Sequence, residues 1–584
     1  MYGAEMLSPL QGGQLQMQFF KEGAMKGVTK WILLAILVLA VVVAFVSYKK
    51  QTKTAEPKAK SQIAQAVETS KAWVLRDSAM SNMTSFDPVK IVDAFSVNVL
   101  SNVYEGLVNV SPEGGPVPGL AESWEHSPDG KVWTFHLKKG VKFHPVTGCD
   151  FKVPEEVTAK DVLYSFKRAL SAPGAVTSWI FTDILEGALE FAKGESKDIK
   201  GIEIVDPYTI KIHLKRPYFL VTRLTFNGTW IYPAGIVEAC GEDYLSSHEV
   251  GTGPYMLEEF VPDDRIVLTR FKAYRQNHEK APARVVIRIF SDPLAAIESF
   301  AAGDLDIVEA GISTLPRAKG LAEEGNNLVS VPANYLDYIV MNNKKAPFDD
   351  IRVRRTLNMV IDREALAHQV LKGFGTSAYG FIPPFSPAFR GFDRIKQQGF
   401  EFNPAEAKLF IETYLKDKGK QTLELELVID SGEVPETIGQ FVKAQVENNL
   451  PNVHVSLKKI TWPAMLQMAF GGEGVFYRFW WNIVTPGEDL YFLFYFPGQD
   501  PPHGFNLSCY DSKEFLTEYE TAMAGLDANS RYQGVQQLED IMIRNAVAIP
   551  LLHKTFYFLE KKGITCPVNG LLKKPYIYAT SSKN

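Results

Sequence analysis

Two short segments carry residue types that could do chemistry. Gly251-Thr252-Gly253-Pro254 has the glycine spacing of a backbone cradle for phosphate, in which successive N–H groups point at an anion. Pro254 has no N–H to give where a cradle needs one, so the segment reads as a tight turn. Asp304-Leu305-Asp306-Ile307 offers two carboxylates two residues apart, a pattern suited to calcium or to acid–base work. Its apolar alternation reads instead as a strand with a solvated face. Ten histidines are scattered from His126 to His553 without an HxxxH pair, so a helical zinc site has no support. The patterns GxSxG, GxxxxGK[ST] and GxGxxG are absent. The residues therefore point away from catalysis, and no metal or cofactor is expected.

Aromatic density is the other candidate for function. Phe476, Tyr477, Phe479, Trp480 and Trp481 are followed by Tyr491, Phe492, Phe494, Tyr495 and Phe496. Such rings fill cores, and rings with polar edges also line ligand clefts. Both readings stay open at this point.

The elements that would position these residues alternate along the chain. Val132 to Leu137 alternates with period two and ends at Lys138-Lys139-Gly140, a strand and turn. Thr158 reads as a helix N-cap with Asp161 in the first turn, and Val162, Phe166 and Leu170 share one face. Further strands are expected at Tyr208 to Leu214, Ile266 to Phe271, Leu423 to Val428 and Val453 to Leu457. Helices are expected at Ala405 to Tyr414 and Glu436 to Asn449. Interleaved helices and strands make the class α/β or mixed α+β.

The chain has 584 residues, 46% of them hydrophobic and 22% charged, which excludes a disordered chain and allows about three structural units. Its net charge of −5 is uneven: the first 60 residues hold eight Lys and three Glu, so they carry +5 and the remainder −10. An acidic body has no footprint for nucleic-acid phosphates. The basic segment surrounds an uncharged run from Trp31 to Tyr48, 18 residues that would span about 27 Å as a helix. We expect a tail at 1–30, a membrane anchor at 31–48 and a tether at 49–71. A cleaved signal peptide, with Met25 as an alternative start, is the other reading. No Cys closely follows the run, so a lipoprotein anchor is not available. Cys149, Cys240, Cys509 and Cys566 allow one bridge and require none.

Several blocks, taken in order, resemble the family 5 extracellular solute-binding proteins, the oligopeptide- and dipeptide-binding components of bacterial ABC importers. They are Val103-Tyr-Glu-Gly-Leu107, Pro118-Gly-Leu-Ala-Glu-Ser-Trp124, Trp133-Thr-Phe-His-Leu137 and Thr158-Ala-Lys-Asp-Val162 with Tyr164-Ser165. Val250-Gly-Thr-Gly-Pro-Tyr255, Pro347-Phe-Asp-Asp-Ile-Arg-Val-Arg354 with Ile361-Asp-Arg363, and Phe505-Asn506 with Tyr510 and Phe515 continue the series. The resemblance covers about residues 72–580. It implies an α/β, two-lobed periplasmic-binding-protein-like clamp that closes on a ligand. The first lobe would be 72–333 with the return segment 552–584 and an extra subdomain near 112–240. The second would be 334–551, with hinge crossings near Pro332–Tyr335 and Ala548–Leu552.

The resemblance also implies partners and a site. The receptor would be periplasmic, tethered or free, a monomer, without nucleic acid, and would deliver a peptide or peptide-like solute to ABC permease subunits. An extended peptide would be held by strand addition at Asp93-Ala94-Phe95 and Trp480-Trp481-Asn482, between aromatic walls at Trp179 and Trp462. Arg478 matches an arginine that can meet a peptide carboxylate. Counting from Trp462, the family aspartate that pairs with a free α-ammonium falls on Val484, and a second acidic position falls on Val92. Valine leaves a buried ammonium uncompensated, at a cost of several kcal/mol, on the order of the desolvation of one ion. Glu488 or Asp489 could substitute; otherwise the ligand is N-blocked, neutral, or a metal chelate, haem or sugar. A membrane-tethered signalling or adaptor protein on the same fold, and a hydrolase using the cleft, are the rival readings.

Overall fold

The computed structural model describes residues 73–91, 93–111, 115–276, 279–398, 401–482, 500–502, 506–571 and 574–582. The expected tail, anchor helix and tether lie outside them. Among the described residues no helix is long and apolar enough to cross a membrane.

The strand read at Val132–Leu137 buries Trp133, Phe135 and Leu137 and turns the residues between them outward. It lies in an antiparallel sheet in the order Ala121–His126, Val132–Leu137, Thr209–His213 and Ile202–Asp206. The helix Ala159–Ser171 packs Val162, Phe166 and Leu170 inward. At its start the Asp161 carboxylate accepts from the Thr158 N–H at 2.8 Å and from its hydroxyl at 3.0 Å. Cys149 and Cys240 form a disulfide with Cα atoms 5.5 Å apart, tying a span of 91 residues. In a chain-entropy account a loop of that size contributes about 4–5 kcal/mol, and the bond suits an exported protein.

A second sheet runs Val74–Ala79, Arg284–Ile289, Arg265–Arg270 and Tyr255–Val261, parallel at the first pair and antiparallel after it. Its glycine-rich approach is Gly251 to Pro254, where the sequence reading of a turn needs sharpening. A Cβ on Gly251 would stand 1.9 Å from the Val103 carbonyl oxygen, and one on Gly253 would stand 2.6 Å from that of Asn102. The glycines let two backbones touch, and the Gly253 N–H donates to Val103 O at 2.8 Å. His144 closes this corner, with Nδ1 2.7 Å from Glu249 and Nε2 2.9 Å from Gly253 O. Burial alone would lower its pKa, but Glu249 raises it overall.

The third sheet is the largest among the described residues, with seven strands. Its spine is the pair of long strands Asn327–Met341 and Ala548–Glu560, antiparallel and broken in register between Pro332 and Leu336. Ile307–Ala310 and Gly375–Ser377 join the second long strand, and Phe476–Asn482 joins the first. Leu423–Asp430 and Val453–Ile460 extend the sheet in parallel. Helices Ile351–Met359, Pro404–Asp417 and Glu433–Asn449 bury their apolar faces in one core with Ile339, Met341, Leu427 and Ile429. Tyr338, Val340, Val428 and Tyr477 point to the opposite face and into the other core. Burial on both faces explains why these strands read as nearly continuous apolar runs.

Asp306 corrects the expectation of a solvated strand face. It is buried beside Leu305 and Ile307, and its carboxylate accepts from the Arg76 backbone N–H at 2.9 Å and from its Nη2 at 2.8 Å. The neighbouring strand Val74–Ala79 supplies that partner, so period-two alternation failed where a side chain crosses between elements. No group of three or more His, Cys, Asp or Glu among the described residues is placed to hold a metal.

Gly251→Ala is expected to destabilise the protein by about 3 kcal/mol or more, since backbone rather than a flexible side chain occupies the Cβ position. Urea denaturation of the variant against the parent measures this, and an unchanged midpoint would refute it.

Candidate functional site

The aromatic strand Phe476–Asn482 alternates in use as well as in direction. Tyr477 and Phe479 are buried in the core and Trp481 packs against it, whereas Arg478, Trp480 and Asn482 line a cavity of about 490 Å³. That volume is in the range of small-molecule and peptide sites, roughly 300–1,000 Å³. The antiparallel register sets Asp337 opposite Trp480 and Tyr335 opposite Asn482, and these four side chains line the cavity with Arg478. Tyr335 stacks on Trp480 at 5.5 Å, and Trp462 stacks on the same indole at 5.0 Å.

The second long strand contributes Leu552, Lys554, Phe556 and Phe558 at alternate positions. Facing them are the end of Val74–Ala79 and the helix Ala94–Leu100, which presents Ala94, Phe95, Asn98 and Val99. Asp77, wholly buried, binds Lys574 Nζ at 2.7 Å and accepts from the Tyr576 hydroxyl at 2.9 Å. Burial alone would lower the Lys574 pKa, but Asp77 raises it.

Arg478 is the centre of the cavity floor. Its Nη1 donates to Asp430 at 2.6 Å and its Nη2 donates to Asp337, with the guanidinium 3% exposed. Two carboxylates therefore already hold both ends of the fork. The expected role for Arg478, meeting a ligand carboxylate, would fall to its Nε, which is buried without a hydrogen-bond partner among the described residues. Burial pushes the Asp337 carboxyl up to about 6 despite the guanidinium. Its Oδ1, like Asn98 Oδ1 and Asn482 Oδ1, is buried without a hydrogen-bond partner among the described residues.

The other expected site residues divide. Ala94, Phe95, Trp480 and Asn482 line the cavity, and Trp462 stands behind Trp480. Ala94 and Phe95 do so from the first turn of a helix, not from a strand as expected. Asp93 is that helix's N-cap: its Oδ1 accepts from the Ser96 N–H at 2.7 Å and its Oδ2 from the Thr84 hydroxyl at 2.5 Å. A carboxylate already spent on capping is held by local geometry rather than offered to a ligand. Trp481 faces the core, stacked 6.3 Å from Phe479. Trp179 packs edge-on against Phe226 at 4.9 Å and is not among the residues that line this cavity. Val484, with Glu488, Asp489 and the second half of the aromatic cluster, lies outside the described residues, as does Val92.

Sequence reasoning missed Asp337, Asp430, Lys554 and the Asp77–Lys574 pair. A signal was present: Asp337 interrupts Tyr335-Leu-Asp-Tyr-Ile-Val-Met341, and Lys554 interrupts Leu551-Leu-His-Lys-Thr-Phe-Tyr-Phe558. A charge inside a run that apolar burial demands needs a partner or a function.

Arg478→Leu leaves two buried carboxylates without their cation and is expected to cost about 3–5 kcal/mol. Asp337→Asn keeps the Arg478–Asp430 pair and is expected to cost under about 1 kcal/mol. Because the folded Asp337 carboxyl holds its proton more tightly than the unfolded one, its contribution is full below 3.8 and is lost as pH rises through about 6. Urea midpoints across that window should fall for the parent relative to Asp337→Asn. Parallel pH profiles would contradict this assignment.

The family model for bacterial extracellular solute-binding proteins, family 5 middle region, matches residues 115–502. The chain is 27% identical over 518 residues to the periplasmic oligopeptide-binding protein OppA of Haemophilus influenzae, covering 86% of this chain and 89% of that one. It is 28% identical over 513 residues to heme-binding protein A of the same organism, covering 84% and 88%. The structure of the ABC transporter-associated periplasmic binding protein DppA from Helicobacter pylori, in complex with the peptide STSA, superposes with a TM-score of 0.72 at 22% identity, covering 88% of this chain and 99% of that one. With two thirds of its length under the family model, the chain belongs to the bacterial extracellular solute-binding proteins of family 5.

Proposed function

We propose that this solute-binding protein captures a peptide-like ligand in the cavity beneath Trp480 and delivers it to the permease of an ABC importer, without catalysis. The observation that carries the reading is the cavity's double wall. One side comes from Val74–Ala79 and Ala94–Leu100, the other from Leu423–Asp430 and Phe476–Asn482, and the two long strands add further lining residues. Lobes at 72–333 with 552–584, and at 334–551, would close about the register break between Pro332 and Leu336. The sheet Ala121–His126 to Thr209–His213, stapled by Cys149–Cys240, would be the core of the subdomain at 112–240.

The ligand class follows from charge. Arg478 at the cavity floor is engaged by two carboxylates, and by the family resemblance Val484 would fall where the ammonium-binding aspartate is expected. We therefore favour a ligand with a blocked or neutral N-terminus over a free-ended peptide. A haem-like ligand is the second reading, favoured by the stack of Tyr335, Trp480 and Trp462 and by a relative named as heme-binding. The apolar run at 31–48 would hold the receptor at the outer face of the cytoplasmic membrane.

Native mass spectrometry of the gently purified full chain is expected to show a co-purifying solute that is released on unfolding. Its identity as a free-ended peptide would overturn the reading of Val484. No bound solute, together with no binding from a broad peptide and metabolite panel, would overturn the receptor reading itself.

A further inference from the structure

Among the described residues, Lys554 is the cation lining the cavity that has no carboxylate partner. Its neighbours show why. Lys574 is bound to Asp77 at 2.7 Å, and Arg478 is shared by Asp337 and Asp430. Among the described residues no carboxylate stands within ion-pairing distance of Lys554 Nζ, and no acceptor takes a hydrogen bond from it. Glu309, on the adjoining strand Ile307–Ala310, and Asp337 act on it only at longer range.

The ammonium is instead held against rings. Nζ stands 3.9 Å from the centroid of Phe556, 5.5 Å from Phe374 and 5.7 Å from Tyr335. These faces attract a cation without supplying an acceptor for its three N–H donors. Lys554 also sits at the break in the ladder: His553 pairs Leu336 and Thr555 pairs Pro332, with three residues between those partners and Lys554 alone opposite them. The backbone there is pinned on its other edge by Gly375. The charge is thus preorganised by rigid neighbours, desolvated, and open to the cavity that it lines.

We propose that Lys554 is the subsite for a carboxylate of the ligand, so that the receptor selects solutes that join an acid group to an apolar or aromatic body. This rests on the reading of the cavity as the ligand site. A carboxylate entering there would satisfy the donors that the rings leave unused. Burial, which alone lowers the Lys554 pKa, would then be offset by a direct counter-charge. Phe556, Phe374 and Tyr335 would flank the acid and reject a second charge beside it.

Isothermal titration of the full chain with N-acetyl-Phe-Ala-Phe, as free acid and as C-terminal amide, tests this. A second pair, 3-phenylpropionate and 3-phenylpropanamide, distinguishes a peptide terminus from a carboxylate on a non-peptide body. The parent is expected to prefer the acid of at least one pair by about tenfold or more, as for a charge-assisted hydrogen bond. Lys554→Met should abolish that preference while leaving amide affinity within about twofold, and Lys554→Arg should restore it, since it keeps the charge. Unchanged urea midpoints exclude a folding defect. Equal affinity for acid and amide in the parent, a preference that survives Lys554→Met, or binding of neither acid would each overturn the assignment. The last result leaves the receptor reading to the co-purified solute, so the two failures are distinguishable.

Discussion

One guanidinium holds the cavity floor together. Arg478 adds a charged tie to three strands that are neighbours in one sheet: its own, the long strand carrying Asp337, and the strand ending at Asp430. Two carboxylates for one cation leave a net negative group in a place sealed from solvent. Such a cluster stabilises little over an apolar core, because desolvation consumes most of the attraction. What it contributes is position. The three strands cannot slip relative to one another without stranding a buried charge, so the side chains beside Arg478 keep their register. Trp480 and Asn482 are aimed by the same constraint that fixes Arg478.

The aromatic residues divide their work along the strand that carries them. Phe479 and Trp481 belong to the core behind the sheet, while Trp480 forms a stack with Tyr335 and Trp462 at the cavity. Core packing and ligand lining are therefore not rival accounts of the cluster. A pleated strand supplies both, one face each. Charge follows a similar division. Asp77 and Lys574 neutralise each other, Arg478 is held by acids, and Lys554 is held by rings. Recognition in a desolvated cavity depends on which charge the fold leaves without a counter-charge, more than on how many charges line it.

Much of the fold was legible in the chain. Val132–Leu137, the helix opened by Thr158, and the elements from Pro404 to Ile460 stand where periodicity placed them. Their burial is decided locally, by which face a repeat of 2 or 3.6 turns inward. The family was legible for a related reason, since its blocks are contiguous segments. The site was legible only in part. Trp480, Asn482, Ala94 and Phe95, expected from the family resemblance, line the cavity, while Asp337, Asp430 and Lys554 sit in strands whose apolar neighbours masked them. Asp306 misled because alternation cannot see a partner on another strand.

The sequence by itself determined the α/β alternation, the family, the acidic body behind a basic N-terminal segment with an apolar run, and the aromatic density near residue 480. Each of these depends on neighbours along the chain. Only the tertiary structure decided which charges are used up and which remain. Arg478 meets Asp337 across 141 residues and Asp430 across 48, and Lys574 meets Asp77 across 497. A direct ion pair needs its nitrogen and oxygen within about 4 Å, so which groups pair is set by sheet order and register rather than by spacing in sequence. That is why Arg478 came to hold two carboxylates distant in sequence, and why a lysine among apolar residues was left facing the cavity.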